Sequence, residues 1–373
     1  MRPHILHLHS TFAHGGKEAR AVRLMNAFGP RLRHTVVSAM PEQMGAAEAI
    51  AADVSVAFPK DAPPLAGRPA PARFRALARY QRGFDLVLTY NWGALDAVMA
   101  HRRWGRGGPP LIHHEDGFGA DEAVRTRPSR DLYRRVALTA ARALVVPSET
   151  LERIARTRWG VRPVRIANGI ALDRFAAPSA DPWPSPRGHG VRVATVAGLR
   201  EVKNLPRLVR ALAGLNVDLV IAGEGPERGA IEAEAARLGL GDRLALPGFL
   251  ADPARLLTHA DLFALSSDSE QFPISVVEAM AAGLPVAATD VGDVRAMVAD
   301  ANRPFVVTGE AALARAIGSL AADPELRATV GAANRAVARE RYDERSMIAA
   351  YESLYAGVLG PLWPMDGPAR ARL

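Results

Sequence analysis

The chain has 373 residues, 49% of them hydrophobic, with 47 Lys and Arg against 39 Asp and Glu and no cysteine. That length suggests two domains with real cores, and the missing cysteine excludes a disulfide framework, a thiolate metal site and a thiol nucleophile. The N-terminal MRPHILHLHS is too short and too broken by histidine for a signal peptide, and no run nears the roughly 18 apolar residues of a membrane span, so a cytoplasmic protein is expected, soluble or peripheral to a membrane.

The net charge of +8 is carried by arginine, with lysine only at positions 17, 60 and 203. Nucleic acid, anionic lipid and phosphorylated ligands all suit a basic chain. The cations are scattered along the sequence, with no Lys/Arg run interleaved with aromatics, so no nucleic-acid partner is expected. A solvated surface with some attraction to an anionic membrane is the expectation.

In chain order, HILHLHS (4–10) reads as a strand and EARAVRLMNAF (18–28) as a helix after a glycine turn. HTVVSAM (34–40) is a strand with a helix near 44–52, and the Pro/Ala-rich 59–73 reads as a loop. FDLVLTY (84–90) is a strand followed by a helix near 93–103. PPLIHHE (109–115) is a strand with a long loop after it, and a helix near 129–142 leads to the strand ALVVPS. Ser148 caps the next helix. NGIALDRF and then AAPSADPWPSPRGHG, rich in Pro, Gly and Ser, mark a boundary between about 168 and 190.

A second alternating series follows: VRVATVAG (191–198), VDLVIAG (217–223), RLALPGF (243–249), DLFALSS (261–267), PVAATD (285–290) and RPFVVT (303–308), with a helical segment over about 324–357. Alternation of strand and helix argues for parallel sheets covered by helices. The expected domains are 1–170, 171–345 and a C-terminal helix and tail, 346–373, packing back on the first. Two such sheets facing across a cleft place a ligand at the C-terminal ends of their strands.

The most informative stretch is 264–290, ALSSDSEQFPISVVEAMAAGLPVAATD. A buried strand ends in small polar residues, and Pro273 suits the first turn of a helix. Ile274, Val277, Ala281 and Ala282 recur at helical spacing until Gly283 and Pro285 stop it. N–H groups at the helix start favour an anion such as a diphosphate. Glu270 lies just before that start and Glu278 more than a turn inside; a surface glutamate and a wet helix face are the plain alternative.

Four other segments carry chemistry. In HGGKEAR (14–20), Gly15 and Gly16 allow a tight turn and a close approach to a helix N-terminus, or form an ordinary strand–helix turn. In REVKN (200–204), Arg200 and Lys203 precede a helix that Asn204 can cap, which suits a diphosphate. A lysine kept in an arginine-writing chain suggests a need for a compact ammonium. GEGPERG (223–229) nearly matches a dinucleotide fingerprint, but its last gap is three residues and it lies in the second half, so it is weak support for NAD. His113 and His114 end a strand and point to opposite faces, so at most one faces a cleft. No HExxH, cysteine ligand or Asp-x-Asp pair suggests a metal site.

The ordered set HGGKE, NGIALDRF, GLREVKN, GEGP and SEQFPISVVEAMAAGLPVAATDVGDV resembles the retaining GT-B glycosyltransferases of family 4, over most of the chain. The resemblance implies an α/β fold of two Rossmann-like domains and an NDP-sugar donor, UDP-sugar foremost. The donor would be held mainly by the C-terminal domain, with no cofactor or catalytic metal. By that resemblance Arg200 and Lys203 hold the diphosphate and Glu270 contacts the donor sugar. The backbone of Gln271, Phe272, Pro273 and Ile274 meets the phosphates, and Glu278 binds the ribose. Gly223, Glu224, Gly225 and Pro226 lie near the base, and Gly15 and Gly16 close over the phosphates. His113 is the strand-end histidine that contacts the sugar.

Two features depart from the family. Gln271 stands where the family often has glycine, and EDGFGADE (115–122) is not a general family feature. That acidic segment, with His114, Glu115 and Asp116, is expected to shape the acceptor side, where a saccharide or lipid-linked acceptor binds. Other readings are a nucleotide-sugar epimerase on the same architecture, an NAD-dependent oxidoreductase, a basic nucleic-acid binder and a binding-only homologue. The first predicts nucleotide release without an acceptor. The second lacks a G-x-G-x-x-G after the first strand, and intact Lys203, Glu270 and Glu278 argue against the last.

Overall fold

The computed structural model describes residues 2–118, 122, 127–180 and 190–364. The chain divides into two compact units, Met1–Asn168 with Arg345–Leu373, and Gly169–Glu344. At the junction, Ile170 N–H donates to Tyr342 O (2.9 Å) and Glu344 N–H to Ile170 O (3.0 Å). Gly169 permits that approach, since a Cβ there would sit 2.7 Å from Asp343 O.

The first unit contains β1 (His4–His9), α1 (Gly16–Phe28), β2 (Arg33–Ser38), β3 (Ser55–Ala57), α2 (Pro71–Gln81), β4 (Leu86–Tyr90), α3 (Leu95–Trp104), β5 (Leu111–His114), α4 (Pro128–Ala137), β6 (Ala143–Val146), α5 (Glu149–Ile154) and β7 (Val164–Arg165). The second contains β8 (Val191–Val196), α6 (Leu205–Ala211), β9 (Val217–Ala222), α7 (Arg228–Arg237), β10 (Leu244–Gly248), α8 (Ala254–Leu257), β11 (Leu262–Leu265), α9 (Ile274–Ala281), β12 (Val286–Thr289), α10 (Val294–Met297), β13 (Val306–Val307), α11 (Glu310–Ala322) and α12 (Pro324–Arg341). The chain then returns to the first unit along α13 (Glu344–Leu359).

Both sheets are parallel, ordered β3-β2-β1-β4-β5-β6-β7 and β10-β9-β8-β11-β12-β13. Strand order reverses between β1 and β4 in one and between β8 and β11 in the other. Connections on either side of such a point leave to opposite faces, which opens a crevice at the strand C-termini.

Several local expectations are corrected. The region near 44–52 forms only a short 3-10 turn, Gly45–Ala49. The Pro/Ala-rich stretch ends in the start of α2, where Pro71 takes a position whose N–H needs no partner. The segment 324–357 is two helices, broken at Tyr342–Asp343, where the chain passes to the other unit. Ser148 caps α5 as expected, its Oγ accepting from Leu151 N–H at 3.1 Å.

In the first unit, α1 and α13 cover one sheet face. Leu24, Met25 and Phe28 pack with Tyr351, Tyr355 and Leu359 over Ile5, Leu88 and Ile112. Helices α2, α3 and α4 cover the other, over Leu6, Val87 and Leu111. The first face also buries a polar layer. His7 bridges His34 (3.0 Å) and the Tyr90 hydroxyl (3.2 Å). His9, Tyr90 and His114 stack at 3.9 and 4.6 Å between ring centroids.

Burial holds His7, His9 and His114 well below the ordinary histidine range, and lowers His34 to about 4. The unfolded chain takes up protons near pH 6.5 that this layer refuses. Stability is therefore full above about pH 6.5 and falls as pH drops below it. Melting temperature should decline between about pH 7.5 and 5, and less steeply in His9→Phe, which keeps the stack without a titrating ring. A melting temperature flat across that range contradicts the assignment.

Candidate active site

Lys203 follows β8 and Glu270 follows β11, the two neighbouring strands at the reversal point of the second sheet. The Lys203 ammonium pairs with the Glu270 carboxylate, and Ser267 Oγ donates to the same Oε1 at 2.8 Å. Their side chains are 14% and 11% exposed, so a ligand can reach both. Backbone ties hold the two connections together. Asp268 N–H donates to Val202 O (2.8 Å) and Ser266 Oγ to Lys203 O (2.9 Å). Arg207 Nη1 donates to Ser266 O (3.1 Å).

Asn204 sits at the start of α6 but does not cap it. Its backbone is left-handed (φ 44°), and its amide donates to Asp268 Oδ2 at 3.0 Å, adding another tie. Arg200 is exposed at the start of the 3-10 turn Glu201–Lys203.

The GEGP loop packs against the same connection. Gly223 and Gly225 have φ of 151° and 155°, and Cβ atoms there would lie 1.9 Å from Ala197 O and 2.3 Å from Leu199 O. Only glycine fits that approach. Glu224 is exposed beside them, and its carbonyl accepts from Leu199 N–H at 2.9 Å. Pro226 is exposed too.

Helix α9 begins at Ile274, so Pro273 holds the cap position rather than the first turn. Helix starts leave N–H groups without intrahelical partners, and this one closely follows Glu270 in the chain. Glu278 is half-buried one turn further along. Phe272 packs edge-on against Tyr342 (5.6 Å). Gln271 O accepts from Asp293 N–H (3.2 Å). Gly292, which no motif in the sequence marks, lies under this turn with φ 55°, where a Cβ would meet Glu270 O at 2.4 Å.

In the first unit, Gly15 and Gly16 are exposed at the start of α1. Gly15 is extended rather than left-handed (φ −166°); its constraint is Glu18, whose Oε2 would lie 2.6 Å from a Cβ. Thr11 Oγ1 donates to Glu18 (2.9 Å), and Lys17 pairs with it.

His113 and His114 both end β5 buried, on opposite faces. His113 Nδ1 lies 2.8 Å from Thr89 Oγ1, and its Nε2 has no hydrogen-bond partner. His114 stacks on Tyr90 and Tyr351. Neither ring is open to solvent, and the geometry brings neither to a surface.

The described part of the acidic segment 115–122 is held by ion pairs. Asp116 forms a two-pronged pair with the buried Arg20 of α1, whose Nη1 also donates to Asn168 (3.0 Å). Burial opposes the Arg20 charge, but Asp116 outweighs it and raises its pKa. Glu115 is buried and accepts from Arg134 Nε at 3.2 Å. Residues 119–121 of EDGFGADE lie outside the described residues.

Residues 14–174 match the family model for Glycosyltransferase Family 4, and residues 186–337 that for Glycosyl transferases group 1. A D-inositol 3-phosphate glycosyltransferase of Streptomyces scabiei is 36% identical over 312 residues, 74% of this chain and 68% of that one. The chain belongs to the group 1, family 4 glycosyltransferases. A second relative, an N-acetyl-alpha-D-glucosaminyl L-malate synthase of Bacillus anthracis, is 28% identical over 170 residues, 44% of this chain. The glycosyltransferase spans only 45% of that relative's length.

Its fold is that of solved GT-B enzymes. HepE of Anabaena in complex with UDP superposes with a TM-score of 0.73 at 22% identity, covering 95% of this chain and 99% of that one. Sucrose-phosphate synthase of Thermosynechococcus elongatus gives 0.76 at 20% identity, covering 95% and 98%.

Arg134 of the glycosyltransferase has a structural role that no motif in the sequence marks. It is fully buried on α4, ringed by Trp92, Phe118 and Trp159 at 5.0, 5.1 and 5.3 Å. It donates to Glu115 and, through Nη2, to Glu122 at 3.1 Å. Burial would raise the Glu122 pKa, but hydrogen bonds from Arg134, the Arg127 N–H and Arg130 bring it to about 2. Glu122 therefore stabilises the fold above its ordinary value, and that contribution is lost as pH falls toward 2. Arg134→Met should cost about 3–5 kcal/mol, because two buried carboxylates lose their counter-charge. Adding Glu122→Gln should restore part of the loss. Urea unfolding checks both, and a single variant as stable as the parent contradicts the pairing.

Proposed function

We propose that this glycosyltransferase moves a hexose, with retention, from a UDP-sugar to a hydroxyl of a glycan or lipid-linked saccharide. The setting would be envelope or exopolysaccharide synthesis, in the cytoplasm or on the inner face of the membrane. The observation that carries the reading is the pairing of Lys203 with Glu270 beside the start of α9. An ammonium, a helix N-terminus and a hydroxyl-binding carboxylate meet at one strand edge. These are the groups needed to hold a diphosphate next to a sugar.

Lys203 and Arg200 take the diphosphate, together with the backbone of Gln271, Phe272, Pro273 and Ile274. Their positive charge stabilises the leaving group as the glycosidic bond breaks, which is electrostatic catalysis without a metal. Glu270 exchanges Lys203 for donor-sugar hydroxyls. Glu278 anchors the ribose, and Gly223 to Pro226 border the base. The donor phosphate accepts the proton of the attacking hydroxyl on the same face as the departing diphosphate. The sequence supplies no obvious carboxylate pair for double displacement.

Relatives support the reading. HepE was crystallised with UDP and with UDP-glucose, and a 31% identical relative over 156 residues is a lipopolysaccharide core glycosyltransferase, LpsD of Rhizobium meliloti. A thermal-shift series with UDP-, GDP- and ADP-sugars should show stabilisation by the UDP class. Lys203→Ala and Glu278→Ala should each weaken binding roughly 10- to 100-fold, as expected for a lost charged hydrogen bond. No shift with any donor, or shifts unchanged in both variants, would sink the assignment. Net conversion of the donor sugar without an acceptor would point to an epimerase instead.

A further inference from the structure

The charge of this chain is divided between its units. The first, Met1–Asn168 with Arg345–Leu373, carries 29 Lys and Arg against 16 Asp and Glu, a net of +13; the second carries 18 against 23, a net of −5. The cations that look scattered in the sequence are thus one-sided in the fold.

Within the first unit they collect at one edge of the sheet. Arg79 lies in the last turn of α2 and Arg82 follows it; Arg102 and Arg103 lie in the last turn of α3, and Arg106 follows. Helices in a parallel α/β layer run against the strands, so helix ends and strand starts share an edge. That edge is opposite the strand C-termini bearing His113 and Glu115. Trp104 is its centre. The guanidinium groups of Arg75 and Arg103 lie 5.8 and 5.2 Å from its ring, and Arg82 donates to its carbonyl at 3.2 Å.

Arg75, Arg79, Arg82, Arg102, Arg103 and Arg106 are all exposed, and none has a carboxylate within 4 Å among the described residues. Exposed Arg142 and Arg162 continue the edge below β6 and β7. Arginine at one helix end complements the helix dipole. Successive helix ends so decorated, without counter-ions, leave a cationic rim that an anionic surface would neutralise.

We infer that this arginine rim docks the protein on a bilayer containing anionic phospholipid. This deepens the membrane part of the reading above and is independent of donor binding. A planar anionic surface meets a rim formed by several helix ends at once, and adds favourable free energy per cation brought within a Debye length. Trp104 between guanidiniums suits the headgroup layer, where a ring and cations are both accommodated. Trp104 is half-buried, and a series of fully exposed aromatic faces, as base stacking would use, is absent among the described residues of this edge.

Co-sedimentation of the full chain with phosphatidylglycerol–phosphatidylcholine vesicles tests the surface. Binding should occur with the mixed vesicles, not with phosphatidylcholine alone, and vanish at high salt. The variant Arg79→Gln/Arg82→Gln/Arg103→Gln should bind at least tenfold more weakly while melting like the parent and keeping its UDP-glucose thermal shift. An equal neutralisation in the other unit, Arg237→Gln/Arg339→Gln/Arg341→Gln, should leave vesicle binding unchanged. No binding to anionic vesicles, equal loss in both triple variants, or stronger retention on duplex DNA than on vesicles at matched phosphate would overturn the proposal. Loss of UDP-glucose binding in the parent would instead count against the donor reading alone.

Discussion

The Lys203–Glu270 ion pair is the interaction on which the second unit's candidate site depends. Each partner is supplied by the connection following one of two adjacent strands, β8 and β11, at the point where strand order reverses. A pair placed there cannot drift, because both connections are laced by Asp268, Ser266 and Arg207. Glycine then closes the structure from two sides. Gly223 and Gly225 lie against the first connection and Gly292 against the second, each where a Cβ would collide with a carbonyl. The charged pair is held rigidly and still reached by solvent, which suits a ligand that must be gripped at both phosphate and sugar.

The first unit is built on a different principle. The end of β5 is surrounded by charge that is buried and paired: Arg20 with Asp116, Arg134 with Glu115 and Glu122. Breaking such pairs is expensive because it strands a charge in a low-dielectric interior. They fix the path of the chain beyond β5 by pinning it to α1 and α4 together. The neutral stack of His9, Tyr90 and His114 extends this polar layer under α13, so the returning C-terminal helix covers hydrogen-bonding groups as well as apolar ones.

Much of this was legible in residue order. Buried parallel strands write themselves as runs such as VDLVIAG and ALVV, and small polar residues mark their ends. The glycines of GEGP stood out as a near-match to a dinucleotide fingerprint, but their physical reason, the close carbonyls of Ala197 and Leu199, exists only in the fold. What was hidden has physical causes. Strand β3 is three residues long and β7 two, too short to show a period. Helix α2 follows a Pro-rich stretch that reads as loop until Pro71 begins it.

Arg134 is buried while Leu132, two residues earlier, is 63% exposed, the reverse of what an amphipathic pattern suggests. Only the tertiary cage of aromatics and carboxylates explains that inversion. The residue type of Asn204 suits a cap, but Asp268 from a distant strand end takes its amide. The charge partition was invisible to a count over the whole chain, since one unit's acids mask the other's arginines.

The measurement that bears most directly on the central claim is a crystal structure of the full chain with UDP. The account predicts diphosphate oxygens about 2.7–3.2 Å from Lys203 Nζ and from N–H groups at the start of α9, with the ribose on Glu278. It also predicts that Lys203 turns away from Glu270 to meet the phosphate. UDP bound elsewhere, or bound with the Lys203–Glu270 pair intact and the diphosphate remote from both, would contradict it.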